Sequence, residues 1–152
     1  IQQGIDLAQI DNRVFDLRTQ VQKDGSGKWI MTGVGVRIAG KGRFVTHIPN
    51  GGTAASYDET IKKAFNNMPA EKKRIEEQLA TICMVIPPKL EESLGINLAI
   101  LSLDIGIDLA GNLWVLEINS KPASFDEDDI RCKHLHHLTD YFIFAAQKIA
   151  KE

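Results

Sequence analysis

The sequence Ser102-Leu103-Asp104-Ile105-Gly106-Ile107-Asp108, which a turn connects to Leu113-Trp114-Val115-Leu116-Glu117-Ile118-Asn119, decides the fold. The apolar run at 98–107 contains only Ser102 and Asp104 as polar members, which predicts a strand buried on both faces. Ala110-Gly111-Asn112 is typical of a tight turn. We therefore expect an antiparallel β-hairpin in this half of the chain.

The segments before this hairpin predict more antiparallel sheet. Apolar and polar residues alternate at 14–21 and at 29–38, and a Gly-rich turn separates the two runs. This pattern predicts a second hairpin, followed by a short strand at 43–47.

Helices are expected at 58–66, 69–85, 89–94 and 133–151. The long middle helix has one apolar face, made by Ile75, Leu79, Ile82 and Ile86. Pro87-Pro88 is expected to end it, and Gly95 to cap the short turn that follows. The last helix carries an apolar stripe made by Leu135, Leu138, Phe142, Ala145 and Ile149. Together the elements predict an α+β fold, an antiparallel β-sheet with flanking helices.

Composition limits the class of protein. The 152 residues are 43% hydrophobic and 25% charged, which is typical of one globular domain. The net charge of -2 and the scattered basic residues argue against a nucleic-acid surface, and no apolar run is long enough for a membrane span. Cys83 and Cys132 lie far apart in a chain without a recognisable signal peptide, so we expect reduced thiols and a cytoplasmic location.

Oxygen-bearing side chains interrupt the apolar hairpin. If the turn lies at 110–112, Asp104 faces Glu117 or its neighbour, and Asn119 shares a face with Glu117. A buried carboxylate is costly unless it is paired or bound to a cation, and Mg²⁺ prefers such oxygen ligands together with substrate phosphates. The alternative is structural: Asp104 starts a turn, Glu117 lies on a solvated face and Asn119 belongs to a loop.

Two weaker patterns have simple explanations. Cys132 lies near three histidines, His134, His136 and His137, but only two of these donors share a helical face, which disfavours zinc. The acidic run at 126–129 is expected to form the first turn of the last helix. A second cation or an electrostatic gate to a substrate is the functional alternative for this run.

The hairpin carries Asp104, followed by Glu117-Ile118-Asn119 and Pro122. This arrangement resembles the magnesium-binding hairpin of the ATP-grasp superfamily. Phe15-Asp16-Leu17-Arg18 resembles the Asp-x-Arg strand of the branch with glutathione synthetase and the ribosomal-protein glutamate ligases. The strand ending at Arg37 and the glycine pair in Asn50-Gly51-Gly52 are similar to the same branch. Over nearly all of its length, the chain is most similar to the endospore coat-associated YheC/YheD-type ATP-grasp family.

The resemblance implies a ligand for each matching residue. Asp104, Glu117 and Asn119 are expected to hold Mg²⁺ against the phosphates of ATP. Asp16 and Arg18 are expected to contact the nucleotide, with bracing of the sheet as the alternative for Arg18. Gln2 and Gln3 are expected to offer adenine a hydrogen-bonding edge.

The resemblance also implies a catalytic residue. Arg37 is expected to neutralise charge on the transferred phosphoryl group or on an acyl phosphate, a task that suits a guanidinium. His47 departs from the family pattern, because the ribosomal-protein branch has an asparagine at this position.

By the same resemblance, residues 1–152 are expected to form the C-terminal lobe of an ATP-grasp unit, cut near the hinge between its two lobes. The N-terminal lobe would precede Ile1 and supply lysines and a Gly-rich loop over the phosphates. That lobe is therefore an expected partner, and this chain alone is expected to be inactive.

For the intact parent, the resemblance implies ATP-dependent ligation of a carboxylate to an amine or thiol through an acyl phosphate. The carboxylate and amine substrates are not identified by the sequence. Two alternatives stay open: a spore-coat structural protein that retains the fold without turnover, and an unrelated α+β binding module. Association with the spore coat rests on the resemblance alone.

Overall fold

The computed structural model describes residues 3–150, which form an antiparallel sheet and three α-helices. The elements are β1 (Gln9–Ile10), β2 (Arg13–Lys23), β3 (Trp29–Ile38), β4 (Thr53–Ala55), α1 (Tyr57–Ala64), α2 (Pro69–Leu94), β5 (Ile100–Ile107), β6 (Leu113–Asn119) and α3 (Asp128–Ile149). The expected α+β class is confirmed. Within the described range, no helix is long and apolar enough to cross a membrane.

Strand β2 lies at the centre of the sheet. The strand order is β4-β3-β2-β5-β6, with β1 paired to the start of β2, and all these pairings are antiparallel. Both predicted hairpins are confirmed: Asp16 pairs with Arg37 in the first, and Asp104 with Glu117 in the second. Pairing of β2 with β5 joins the two hairpins into one sheet.

Alternation along the strands gives the sheet an apolar face and a polar face. On β2, Phe15 and Leu17 are fully buried in the core, whereas Asp16 and Arg18 point to the opposite side. Directly opposed residues of antiparallel strands share a face, so the polar face also carries Arg37, Asp104 and Glu117. These five candidate functional residues therefore lie on one side of the sheet.

Helix α2 covers the apolar face. Ile75 and Leu79 are buried in the core, and Ile82 and Ile86 pack at the edge of the same cluster, as their spacing predicts. Each fully buried side chain of this size contributes about 1.5–3 kcal/mol. Helix α2 therefore lies on the side of the sheet opposite the candidate functional residues.

Pro87 and Pro88 do not end α2, and the prediction of a separate turn at 89–94 is wrong. The helix continues to its cap at Gly95, whose φ of 63° is left-handed, as expected for a C-cap. A proline inside a helix costs about 3 kcal/mol. Packing offsets that cost, because Pro87 is buried and Glu91, one turn later, accepts hydrogen bonds from side chains of β2 and β3.

The predicted strand at 43–47 is also wrong. These residues form an irregular loop, and the strand beside β3 is β4 instead. Arg43 Nη1 donates to Asn50 O at 2.6 Å, and Thr46 Oγ1 donates to Asp16 Oδ2 at 2.6 Å. Side-chain contacts therefore hold this loop over the polar face in place of a strand ladder.

Helix α3 packs on the polar face. Its buried residues are Ile130 and Tyr141, and Gly33 makes room for it, since an added Cβ would lie 2.6 Å from Ile130 Cγ1. The helix begins at Asp128, before the predicted start at 133. Of the acidic run, Asp128 and Asp129 lie in its first turn, as expected, and Glu127 is the N-cap residue. The apolar stripe predicted on this helix is not its buried face, since Leu135, Phe142 and Ile149 are exposed. The helix instead packs against polar side chains of β2, where Gln22 donates a hydrogen bond to the backbone of α3.

Candidate functional site

A buried ion-pair cluster forms the centre of the polar face. Arg37 donates from Nε and Nη2 to the two oxygens of Asp16, each at 2.9 Å, and Nη2 also lies 2.9 Å from Asp104 Oδ2. Asp16, Arg37 and Asp104 are 6%, 7% and 9% exposed. Two carboxylates share one guanidinium, so the cluster carries an excess of negative charge.

The Arg37 guanidinium stays charged in this cluster. Burial acts to lower the pKa of Arg37, but the hydrogen bonds and charges of Asp16 and Asp104 outweigh it, so the pKa lies above its ordinary value. Its Nη1 makes no hydrogen bond to any residue in the part of the chain that the structure describes. One arm of the guanidinium is thus available to an anion.

Asp104 and Glu117 face each other across β5 and β6, as predicted. The register slips next to this pair, so Leu116 has no partner in β5. Asp104 Oδ1 is buried and accepts no hydrogen bond from the described residues. An unpartnered buried carboxylate oxygen is costly, and a second carboxylate lies opposite. This donor set fits a divalent cation.

The side chains that would bind a divalent cation here are two carboxylates and one amide. Within residues 3–150, no group of three or more His, Cys, Asp or Glu side chains is arranged to hold a metal ion. Asn119, the third predicted ligand, pairs with Ser102, two positions along β6 from Glu117. Mg²⁺ needs few protein ligands, because it retains water and takes phosphate oxygens.

A cavity opens beside these residues, called here the carboxylate cavity. It is lined by Asp16, Arg37, Asp104, Glu117, Leu7, Leu116 and loop residues Phe44, Val45, Thr46, His47 and Asn50. Its volume is about 410 Å³. Charged groups therefore form its floor, and the loop that was predicted as a strand forms one wall.

A second cavity adjoins the first and is called the Arg18 cavity. Arg18, Gly35, Phe125 and Glu127 belong to its wall, and its volume is about 230 Å³. Arg37 and His47 line both cavities, so the two share a wall. A molecule in one cavity would lie next to a molecule in the other.

The structure separates the predicted site residues. Asp16, Arg37, Asp104 and Glu117 meet at the carboxylate cavity, whereas Arg18 lines the adjoining one. Gln3 is exposed near the start of the described range and belongs to neither wall. Gln2 lies outside the described residues. Asn119 is half-buried further along β6.

Thr46 is a site residue that the sequence did not reveal. Its hydroxyl donates to Asp16, which in turn binds Arg37. The incorrect strand prediction at 43–47 does not indicate this contact, because the hydrogen bond joins two residues that are far apart in the sequence. The turn-forming residues on both sides of this segment, Gly40 to Gly42 and Asn50 to Gly52, were the available signal for a loop.

Sequence comparison identifies the family of the chain. A family model for YheC/D-like ATP-grasp domains matches residues 1–145. The chain belongs to this family. ATP-grasp membership gives it a nucleotide-binding, ligase-type fold, and the six-stranded antiparallel sheet with three helices is consistent with that fold.

Two relatives of this ATP-grasp domain come from Bacillus subtilis (strain 168). Endospore coat-associated protein YheD is 30% identical over 139 residues, which cover 91% of this chain and 30% of that protein. Endospore coat-associated protein YheC is 30% identical over 109 residues, which cover 71% of this chain and 29% of that protein. The chain thus spans about 30% of the length of these relatives.

Proposed function

We propose that this chain is the Mg²⁺·ATP-binding, C-terminal lobe of a ligase that joins a carboxylate to an amine or thiol through an acyl phosphate. The observation that carries the proposal is the buried, unpartnered Oδ1 of Asp104 opposite Glu117. This oxygen belongs to a cluster with excess negative charge, which a cation would neutralise. Membership of the ATP-grasp family supports the same conclusion.

Three side chains would hold the ion. Asp104 and Glu117 would supply carboxylate oxygens, and Asn119 an amide oxygen from the same face of β6. When bound, Mg²⁺ would neutralise charge on the phosphate oxygens of ATP. Asp104 would thus have two partners, with Arg37 on Oδ2 and the ion on Oδ1.

Arg37 would stabilise charge on the transferred phosphoryl group or acyl phosphate. Its Nε and Nη2 are held by carboxylates, so Nη1 is presented in a fixed position. Asp16 accepts hydrogen bonds on both oxygens, from Arg37 and from Thr46. We therefore assign Asp16 the role of positioning Arg37 beside the nucleotide.

The remaining parts of the proposal rest on family membership and not on the two cavities. An N-terminal lobe would close over the nucleotide, and the edge offered to adenine would come from Gln2 and Gln3. The two relatives are named endospore coat-associated proteins, and we propose the same association here, with synthesis and ATP use in the cytoplasm.

Calorimetry of Mg²⁺·ATP binding to the full-length protein tests the cation site. Glu117→Ala is expected to weaken binding by more than about tenfold, because it removes a direct ligand. Glu92→Ala, which removes an exposed carboxylate from α2, is the matched control and should bind as the unchanged protein does. Equal affinity in both variants would exclude Glu117 from the site.

Turnover separates a ligase from a coat protein that only binds nucleotide. A ligase should release ADP when a carboxylate and an amine are supplied together, and not when either is omitted. A structural coat protein would bind Mg²⁺·ATP without this dependence. Assay of candidate substrate pairs on the full-length protein distinguishes the two.

A further inference from the structure

Arg18 is a cation for which the structure describes no carboxylate partner. It lies opposite Asp104 in the β2–β5 register and opposite Gly35 in the β2–β3 register. Among the described residues, no carboxylate oxygen lies within 4.0 Å of its guanidinium, and its buried Nε has no hydrogen-bond partner. The guanidinium lies 5.5 Å from the centre of the Phe125 ring. Arg37, in contrast, is bound by two carboxylates.

Glu127 is a carboxylate on the same cavity wall, and no described cation forms an ion pair with it. It is the N-cap residue of α3, and its side chain makes no ion pair with any residue that the structure describes. The carboxylate sits over Gly35, since an added Cβ there would lie 2.7 Å from Glu127 Oε1. Because Gly35 pairs directly with Arg18, the two opposite charges border one stretch of cavity floor.

The size and lining of the Arg18 cavity limit its ligand. Its volume of about 230 Å³ is below the roughly 300–1,000 Å³ of sites for drug-sized molecules. Ile48, Pro49 and Phe125 add apolar surface to its wall. The carboxylates of Glu127 and Asp126 would repel a simple dianion, and the guanidinium of Arg18 would repel a simple dication. A small molecule with one charge of each sign fits both.

We propose that the Arg18 cavity binds the amine substrate, and that this substrate is a zwitterion of the α-amino acid class. Arg18 binds its carboxylate, Glu127 binds its ammonium group, and the apolar wall receives its side chain. This inference rests on the proposed function, because only a ligase needs an amine next to the phosphoryl site. The shared wall of Arg37 and His47 places the two ligands side by side.

Calorimetry with the standard L-amino acids, on the full-length protein with Mg²⁺·ATP present, tests the proposal. For the amino acid that binds most tightly, the matching amine without the carboxylate and the matching acid without the amine are titrated as well. Each analogue should bind at least about tenfold more weakly, because it leaves one charged group of the cavity without its partner. Equal binding of either analogue would overturn the zwitterion assignment.

Variants locate the binding to this cavity. Arg18→Gln and Glu127→Gln should each weaken amino acid binding by at least about tenfold. Asp129→Asn is the matched control, because it removes a carboxylate from the same acidic run outside the cavity wall. Gly35→Ala should fold, since only a flexible carboxylate must move, yet it should weaken binding by displacing Glu127. Unchanged affinity in Glu127→Gln and Gly35→Ala would overturn the proposal.

The experiments distinguish a failure of the amino acid site from a failure of the Mg²⁺·ATP site. If Mg²⁺·ATP binds through Glu117 but no amino acid binds, the substrate class is wrong and the proposed function stands. If Mg²⁺·ATP binding does not depend on Glu117, the proposed function fails whatever the amino acids do. The melting temperatures of all variants are compared first, to show which of them fold. If Arg18→Gln does not fold, Glu127→Gln is the decisive variant, because it changes a half-exposed side chain.

Discussion

Arg37 on β3 binds Asp104 on β5 at 2.9 Å, although the central strand β2 lies between them. The guanidinium reaches over Asp16, its direct partner in the strand register. One side chain therefore ties three strands together on the polar face. The same contact occupies one oxygen of Asp104 and leaves the other for a ligand.

Arg37→Ala is expected to lower the free energy of unfolding by about 3–5 kcal/mol, because two buried carboxylates lose the cation that they share. Urea unfolding at neutral pH measures the loss. Arg37→Lys is the matched control: it keeps the charge but cannot bind both carboxylates in the same geometry, so an intermediate loss is expected. A loss below about 1 kcal/mol in Arg37→Ala, as for a surface ion pair, would contradict the buried cluster.

Asp104→Asn should strongly weaken cation binding while lowering the free energy of unfolding only a little. The amide oxygen can still accept a hydrogen bond from Arg37, while the excess negative charge is gone. Titration with Mn²⁺ is expected to show affinity reduced by more than about tenfold, with a smaller loss of stability than in Arg37→Ala. Asp58→Asn, at an exposed carboxylate on α1, should bind Mn²⁺ normally. Unchanged affinity in Asp104→Asn would remove Asp104 from the site.

Local relationships in this fold could be predicted from the sequence. The pairing of Asp104 with Glu117 follows from counting outward from the turn at 110–112, and the pairing of β2 with β3 follows from their shared alternation. The family resemblance added roles for these residues. It could not show that Arg37 contacts Asp104, because that contact depends on the packing of β5 against β2.

The incorrect predictions share a physical cause. Local preference predicts a helix end at Pro87-Pro88 and a strand at 43–47, whereas contacts with distant residues determine the structure of both segments. The separation of Arg18 from Arg37 has the same origin. Both arginines lie opposite an aspartate in the strand register, Arg37 opposite Asp16 and Arg18 opposite Asp104. Among the described residues, however, only Arg37 forms ion pairs with these carboxylates.

Gly52→Ala should disturb the loop that walls the carboxylate cavity. An added Cβ would overlap the carbonyl oxygen of Thr46, and backbone cannot move aside as a side chain can. We expect a loss of about 1–3 kcal/mol in the free energy of unfolding and weaker Mg²⁺·ATP binding. Gly4→Ala is the matched control, since a Cβ there meets nothing within 4 Å. Wild-type stability in Gly52→Ala would contradict the close approach.

Glu91 should make the stability of the fold sensitive to acid. It accepts hydrogen bonds from Lys23 Nζ, Trp29 Nε1 and the backbone N–H of Leu98, at 2.8, 3.0 and 2.7 Å. Burial acts to raise the pKa of Glu91, but these hydrogen bonds and the charge of Lys23 outweigh it. The pKa of Glu91 therefore lies below its ordinary value of 4.5 in the folded protein.

A carboxyl group whose pKa is lower in the folded state binds fewer protons there than in the unfolded state. It stabilises the fold above its ordinary pKa, and this contribution is lost as the pH falls through 4.5 toward the folded value. Urea unfolding from about pH 6 to about pH 3 should therefore show a shallower acid loss in Glu91→Gln than in the unchanged protein. Glu92→Gln, at the exposed neighbouring position, should keep the original slope. The same slope in all three proteins would mean that Glu91 is solvated, and that the contacts joining α2 to β2 and β3 do not form in solution.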